Sequence, residues 1–259
     1  TQMGLHNSAG MKLAVREGIS RVILERQTTL DEIKLIKKNS PPNIELELFI
    51  HGALCCCLSG TCLLSSWMGG WSGNRGKCKQ PCRREYFNLD VTGSYDPSKG
   101  SYILSPHDLC AAELLGEFRK TGIASVKIEG RLKRADYISK VVSAYRLLLD
   151  ATPENYKNAE AEAKELFFSS YTRKPSLGFY TEQSTENLIR HETSGSLGLL
   201  CGRVVKRTPQ GFAAQIVKRL HVGDNIRVQS SDAEEGVTFS ILKMSVDNSP
   251  VMKALPGQT

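Results

Sequence analysis

The first 150 residues alternate between the sequence patterns of strands and helices, and this alternation limits the possible folds more than any other feature. The predicted strands lie at about 21–24, 44–51 and 124–128. The predicted helices lie at about 7–17, 29–38, 106–121 and 133–150. Strands that alternate with helices form parallel sheets with right-handed crossovers. Three strands are too few for a closed barrel, so we expect an α/β fold, the carboxyl-terminal half of a (β/α)8 TIM-type barrel.

The pattern changes after Pro153. One more helix is predicted at about 156–168, and from 199 onward the sequence contains only short strand patterns separated by turn residues. These patterns predict a small all-β barrel. We therefore expect an α/β domain over 1–180 with a cysteine-rich insertion at 52–105, a linker at 181–198 and a β-barrel domain at 199–259.

Charge and hydropathy limit the class of partner. No apolar run approaches the ~20 residues that a membrane span needs, and Thr1–Gly10 lacks the pattern of a signal peptide. We therefore expect a cytoplasmic protein without a membrane partner. The net charge is +7, and the segment Arg119–Arg146 contains eight basic residues against two acidic ones. A basic excess of this kind suits a phosphate-bearing partner such as RNA.

The cysteines form the most specific chemical signal. The chain has eight, and six of them lie between Cys55 and Cys82. In a large domain without a secretion signal, such clustering indicates metal binding rather than disulfides. Four thiolates together select zinc or an iron–sulfur cluster. Structural zinc sites usually contain two short Cys-x-x-Cys pairs. This sequence has none, which favours iron–sulfur.

Polar residues at strand ends indicate a second feature. Alternation places Glu47, Phe49 and His51 on one face of the second strand, and Lys127 and Glu129 on one face of the third. The opposite faces are apolar and would pack on the outer helices, so these polar faces would point into the barrel. Buried carboxylates and lysines must be paired or bind a ligand. Glu47 and Lys127 therefore either form an internal ion pair or contribute to a site.

Active sites of barrel enzymes are built at the carboxyl ends of the strands. His51, Glu129 and Arg131 lie at or just after such ends. They are candidate catalytic residues, and the alternative is that they only cap loops. We expect Lys127 and Arg83 to bind substrate.

Four segments carry a family resemblance: Glu45–Cys55 (ELELFIHGALC), Ser59–Arg83, Leu104–Cys110 (LSPHDLC) and Ser125–Arg131 (SVKIEGR). Together they resemble the collagenase-like peptidase family, peptidase family U32, densely over 1–180 and loosely beyond. Better-understood members of that family are oxygen-independent hydroxylases that act on transfer RNA uridine, ribosomal RNA cytidine or the ubiquinone ring. They share a four-cysteine [4Fe–4S] site, and prephenate is implicated as their hydroxyl source.

The resemblance implies a ligand set. Carried over by position, the cluster ligands are Cys55, Cys62, Cys78 and Cys110, and Cys82 is the alternative to Cys110. The triplet at 55–57 departs from the family's single cysteine and leaves the register open. Cys56, Cys57 and Cys201 are then expected to be packing residues.

Three functions are compatible with these features. We favour an iron–sulfur-dependent hydroxylase that modifies tRNA or rRNA. The second is a metal-dependent peptidase in which His51 and Glu129 ligate zinc, although neither Gly-x-Ser-x-Gly nor His-Glu-x-x-His occurs in the sequence. The third is a binding module with a structural cluster.

Overall fold

A computed structural model describes residues 2–131, 133–170, 173–189, 198, 200–209, 211–229 and 236–259. The chain divides into two compact units, Thr1–Gly195 and Ser196–Thr259. Part of the predicted linker, 190–197, lies outside the described residues. The predicted boundaries at 180 and 199 stay predictions.

The first unit contains seven α-helices and five strands among its described residues. The helices are α1 (Ser8–Arg16), α2 (Leu30–Asn39), α3 (Leu64–Trp67), α4 (Leu115–Thr121), α5 (Ala135–Asp150), α6 (Tyr156–Ser170) and α7 (Glu182–Glu186). The strands are β1 (Arg21–Ile23), β2 (Glu45–Ala53), β3 (Asp108–Cys110), β4 (Ser125–Ile128) and β5 (Pro175–Ser176). Short 3-10 helices cover Gly73–Arg75, Pro81–Arg83, Pro97–Lys99 and Ala112–Leu114.

Side-chain caps explain where several helices begin and end. The Asn7 side chain accepts a hydrogen bond from the Gly10 N–H and starts α1. Thr29 and Glu32 form the predicted capping box at the start of α2. Gly122 ends α4 in the left-handed conformation, which glycine adopts without steric cost.

Strand β2 is the centre of the sheet in the first unit. It pairs in parallel with β1 through Glu45–Glu47 and with β4 through Glu47–His51. Its last residues, His51–Ala53, pair with β3 in the antiparallel direction, and β3 pairs in parallel with β5. This mixed sheet with helices confirms the α/β class. Closure into a barrel stays a prediction.

The helix predicted at about 106–121 is wrong in its first half. Asp108–Cys110 is strand β3, and regular α-helix begins only at Leu115. The Ala111 N–H donates to the Ile50 carbonyl at 2.8 Å, so the end of β2 holds this segment extended. Cys110 therefore lies in a strand and not at the start of a helix.

A bulge near the end of β2 changes the face of one candidate residue. Phe49 is the register partner of Lys127, but His51 is the partner of Ile128, so the register shifts between them. Lys127 and Ile128 are consecutive in β4 and point to opposite faces. Phe49 and His51 therefore also point to opposite faces, and the expectation that they share one is wrong.

The apolar face of β2 forms the core of the first unit. Leu46, Leu48 and Ile50 are at most 2% exposed, together with Met11, Ile33, Phe118 and Val141 from the surrounding helices. Each buried side chain of this size contributes roughly 1.5–3 kcal/mol through the hydrophobic effect. The prediction that the apolar face of this strand is buried against helices is confirmed.

The second unit contains only strands within its described residues. They are β6 (Gly202–Thr208), β7 (Gly211–Ile216), β8 (Leu220–His221), β9 (Asn225–Val228), β10 (Val237–Ser240), β11 (Met244–Val246), β12 (Ser249–Val251) and β13 (Lys253–Ala254). They form antiparallel pairs around Ile216, Leu220, Ile241 and Ala254. The predicted β-barrel closure stays a prediction. Across the described part of both units, every helix is too short or too polar to span a bilayer.

Candidate cysteine site

A cavity of about 230 Å³ lies at the carboxyl ends of β1, β2 and β4. Five cysteines line it: Cys55, Cys56, Cys62, Cys78 and Cys82. Charged side chains complete its wall: Arg26, Arg83, Glu129 and Arg131. The structure thus brings three of the four predicted ligands together, along with the alternative ligand Cys82. We call this cavity the cysteine pocket.

Hydrogen bonds within the insertion hold the cysteine-bearing segments in place. The Ser65 hydroxyl is buried and accepts a hydrogen bond from the Lys79 N–H at 3.1 Å. Lys79 directly follows Cys78, so this bond holds the Cys78 segment. The Asn74 amide donates to the Gly60 carbonyl at 2.7 Å, which joins the segments of Cys62 and Cys78. Cys82 lies in the 3-10 helix that Pro81 begins. Loops that are distant in sequence therefore meet at one pocket.

The pocket thiols interact with one another. A hydrogen bond between Cys56 and Cys82 raises the pKa of Cys56 and lowers the pKa of Cys82; burial also raises the former and opposes the latter shift. Burial raises the pKa of Cys55, and the neighbouring thiols of Cys56 and Cys62 raise it further. Among the described residues, no three His, Cys, Asp or Glu side chains have the arrangement that a single metal ion needs.

Arg26 follows β1 and lines the pocket. Its Nη2 lies 3.2 Å from Oε2 of Glu129, and its Nη1 donates to the Ser59 hydroxyl at 3.3 Å. Its guanidinium also lies 4.0 Å above the centre of the Phe49 ring. These contacts fix the guanidinium on three sides, and they hold one carboxylate oxygen of Glu129.

Two neighbours of Arg26 support the cysteine segment from behind. The buried carboxylate of Glu25 accepts from both the N–H and the hydroxyl of Ser59 at 2.9 Å. The Gln27 amide donates to the carbonyl oxygens of Cys55 and Cys57 at 3.1 Å. The loop after β1 therefore determines the path of the backbone that carries the first cysteines.

Glu129 and Arg131 lie where the loop after β4 meets the end of β2. Gly52 has a φ of +110°, and a Cβ atom built on it would lie only 2.8 Å from the Glu129 Cβ. Only glycine permits this approach. Oε1 of Glu129 accepts from the Arg131 N–H at 3.0 Å. The Arg131 Nη1 extends toward the insertion, 3.8 Å from the position that a Gly76 Cβ would take.

The predicted substrate-binding residues have different surroundings. Arg83 donates to the Ser105 hydroxyl at 3.0 Å, to the Leu54 carbonyl at 2.7 Å and to the Pro106 carbonyl. These bonds join the end of β2 to the segment before β3, so this guanidinium is engaged within the protein. Lys127 lies 5.2 Å from the Phe49 ring centre, and Glu47 pairs with Arg21 at 3.8 Å instead of with Lys127.

His51 and Cys110 lie away from the pocket. They are register partners in β2 and β3, so they share the face to which the bulge turns His51. His51 is 2% exposed and stacks on Phe167 of α6 with centroids 5.2 Å apart. Cys110 lines a separate cavity of about 370 Å³ beside α6. The zinc-peptidase alternative needs His51 and Glu129 on one ion, but the structure places them on opposite faces.

Sequence reasoning missed Glu25, Arg26 and Gln27. They follow β1 directly, and the rule that barrel active sites lie at strand carboxyl ends applies to β1 as it does to β2 and β4. A run of three polar residues after a buried strand was the available signal.

The model of peptidase family U32 matches residues 1–190, which include every residue of the cysteine pocket. The chain belongs to peptidase family U32. This confirms the resemblance that the four motifs carry. The U32 segment therefore includes β1–β5 and extends to within a few residues of the end of the first unit.

Three U32 relatives show the range of names in the family. An uncharacterized protease of Methanocaldococcus jannaschii is 38% identical over 223 residues, 80% of this chain and 54% of the relative. The tRNA hydroxylation protein P1 of Bacillus subtilis is 39% identical over 60% of this chain and 38% of its own length. A 23S rRNA 5-hydroxycytidine synthase of Escherichia coli is 31% identical over 88% of this chain and 36% of its own.

The chain thus spans about half the length, or less, of these relatives. No solved structure matches it.

Proposed function

We propose that the cysteine pocket binds a [4Fe–4S] cluster through Cys55, Cys62, Cys78 and Cys82, and that the protein hydroxylates RNA. The observation that carries the proposal is the convergence of five cysteines on one pocket beside Arg26, Glu129 and Arg131. Cys82 replaces Cys110 in the ligand set because Cys110 lines the other cavity.

The donor set fits a cluster better than it fits a single ion. Its potential ligands are soft thiols, which select iron–sulfur clusters or zinc. Thiolates that bind the four irons of a cluster stand further apart than thiolates that share one ion. The described side chains lack a single-ion arrangement, but they surround a common cavity. When bound through four thiolates, a [4Fe–4S] cluster would supply electron transfer.

Cys56 has a different role in this proposal. Its thiol lies beside the Cys82 thiol, where its S–H would donate to the sulfur of a cluster-bound Cys82. Hydrogen bonds to ligand sulfurs change the reduction potential of a cluster. Cys56 would therefore tune the cluster without ligating it.

Glu129 and Arg131 would position a second reactant. Both Glu129 oxygens accept hydrogen bonds, Oε2 from Arg26 and Oε1 from the Arg131 N–H. These bonds fix the orientation of the Glu129 carboxylate, so it would act as a positioning group. The Arg131 guanidinium has no carboxylate partner among the described residues. It is available for a carboxylate such as that of prephenate, and its fork matches that geometry.

The RNA substrate class comes from the relatives. Two U32 proteins that resemble this chain at 39% and 31% identity are named for tRNA hydroxylation and for 5-hydroxycytidine in 23S rRNA. The net charge of +7 is compatible with a polyanionic substrate. We therefore propose a uridine of tRNA or a cytidine of rRNA as the target.

Two measurements on the same protein test the proposal. Anaerobic purification should give about four irons and four sulfides per chain, with a broad visible absorption that bleaches in air. Mass spectrometry of total tRNA and rRNA from a deletion strain should show the loss of one hydroxylated nucleoside, restored by the gene. Stoichiometric zinc without iron after anaerobic purification would overturn the cluster. Unchanged RNA in the deletion strain would overturn the substrate class.

A further inference from the structure

The cysteine-rich insertion exposes both tryptophans of the protein on one short turn. We call Ser66–Ser72 the tryptophan turn. Trp67 is 81% exposed and Trp71 is 44% exposed. Large aromatic side chains are usually buried, so two exposed ones on one turn indicate a surface that is covered when a partner binds.

The tryptophan turn adjoins the cysteine pocket. Leu64 and Ser65, immediately before it, line the pocket, as do Gly73 and Asn74 immediately after it. The turn therefore projects from the wall of the pocket. An extended ligand that contacts the tryptophan rings would therefore also reach the entrance of the cysteine pocket.

The backbone of the turn is fixed by hydrogen bonds. The Trp71 N–H donates to the carbonyl of Ser65 at 3.1 Å, and the Gly70 N–H donates to the Ser66 carbonyl at 2.7 Å. Gly70, at a φ of +76°, reverses the chain. The Lys79 ammonium lies 4.3 Å from the centre of the Trp71 ring. The tryptophans are thus held on a folded platform.

The charge around the tryptophan turn has one sign. The sequence contains no Asp or Glu between Glu47 and Glu85, but it contains five basic residues there. These are Arg75, Lys77, Lys79, Arg83 and Arg84. Arg75, Lys77, Lys79 and Arg84 are exposed, whereas Arg83 is bound to backbone carbonyls. A surface of aromatic rings beside unopposed cations is complementary to a single-stranded nucleic acid.

We propose that the tryptophan turn binds a single-stranded segment of the RNA substrate next to the nucleotide that enters the cysteine pocket. An unpaired base stacks on Trp67, and the neighbouring phosphates contact Arg75, Lys77 and Lys79. Sequence-specific RNA enzymes bind unstacked bases on aromatic side chains in this way. This inference rests on the proposed function, because it assigns the binding mode of that same substrate.

The test compares variants of the purified protein for binding of a short single-stranded RNA oligonucleotide. Trp67→Ala should weaken binding roughly 5- to 100-fold, as the loss of one stacked base does, whereas Trp67→Phe should keep most of the affinity. Leu89→Ala is the matched control, because Leu89 is 66% exposed in the same insertion but outside the turn. Iron content equal to that of the unsubstituted protein verifies that the insertion is folded.

Two results would overturn the inference. Equal RNA affinity of Trp67→Ala and the unsubstituted protein is one. The other is unchanged RNA affinity together with a change in the association state of Trp67→Ala, which would mean that a second copy of the chain, and not RNA, covers the turn. Failure of the proposed function is distinguishable. If Trp67→Ala restores full RNA hydroxylation in the deletion strain, only this inference fails. If RNA of the deletion strain is unchanged while Trp67→Ala binds RNA weakly, only the proposed function fails.

Discussion

Strand β2 separates two polar regions that differ in what their side chains can still bind. On one face, Phe49, Arg26 and Glu129 lead into the cysteine pocket, where the thiols and Arg131 border a cavity. On the other face, His51 is enclosed by aromatic rings of α5 and α6. Both regions contain residue types that serve in catalysis and both border a cavity, but the first cavity is lined by five cysteines and the second, among its described residues, by one cysteine, Cys110.

The second region uses its charges internally. Asp108 is buried and lies 3.4 Å from the Arg173 guanidinium and 3.9 Å from the Lys133 ammonium. The Lys133 ammonium also lies 4.7 Å from the centre of the Tyr137 ring. A buried carboxylate needs such partners. We call His51, Asp108, Lys133 and Arg173 the internal network. Its groups are explained by packing and pairing, whereas we propose that those of the cysteine pocket bind an external ligand.

The largest expected effect distinguishes the two faces by iron content. Cys55→Ser, Cys62→Ser, Cys78→Ser and Cys82→Ser should each lose most of the iron after anaerobic purification, because a cluster needs all four thiolates. Cys110→Ser should retain it, because Cys110 shares the face of His51. Cys56→Ser, Cys57→Ser and Cys201→Ser are the controls for general damage. Iron retained in Cys82→Ser and lost in Cys110→Ser would transfer the fourth ligand to the other face.

A smaller effect is expected for the available guanidinium of the pocket. Arg131→Lys should lower RNA hydroxylation roughly 10- to 100-fold, because an ammonium cannot reproduce two parallel hydrogen bonds to a carboxylate. Iron content and thermal stability should not change. Arg84→Lys is the matched control, since Arg84 is an exposed arginine of the insertion. Full hydroxylation by Arg131→Lys would mean that Arg131 only closes the loop after β4.

Local sequence signals predicted much of the fold, and long-range contacts explain what they missed. The capping box at Thr29 and the apolar alternation of β2 depend on neighbours in sequence, and both are present. The face of His51 depends on one extra residue in the pairing of β2 with β4. Gly52, directly after the predicted strand, was the only local sign of an irregularity there. The strand at Asp108–Cys110 forms because β2 supplies its hydrogen bonds, which no local pattern encodes.

The sites show the same division. The grouping of the cysteines could be predicted from composition and spacing, because closely spaced cysteines occur mainly in metal sites and disulfides. The choice between Cys82 and Cys110 was not visible, since it depends on the register between β2 and β3. Arg26 could have been proposed from its place after β1. Its pairing with Glu129 required the structure, because 103 residues separate them.

The smallest predicted effect concerns the internal network and the pH dependence of stability. Burial lowers the pKa of His51 from 6.5 to about 4; Asp108 opposes this shift and Lys133 adds to it. The folded protein therefore keeps the imidazole neutral, whereas the unfolded chain takes up a proton below about pH 6.5. The contribution of His51 to stability is complete above that pH and is lost as the pH falls toward about 4. A pKa difference of this size corresponds to about 3 kcal/mol of folding free energy.

His51→Phe keeps the stacking on Phe167 but loses the 3.3 Å hydrogen bond to the Tyr145 hydroxyl. Thermal unfolding of His51→Phe should therefore vary less between pH 6.5 and 4 than that of the unsubstituted protein. His6→Phe is the control, because His6 is exposed. Equal pH dependence in His51→Phe and the unsubstituted protein would mean that His51 is hydrated and accessible, and would remove the difference between the two faces of β2.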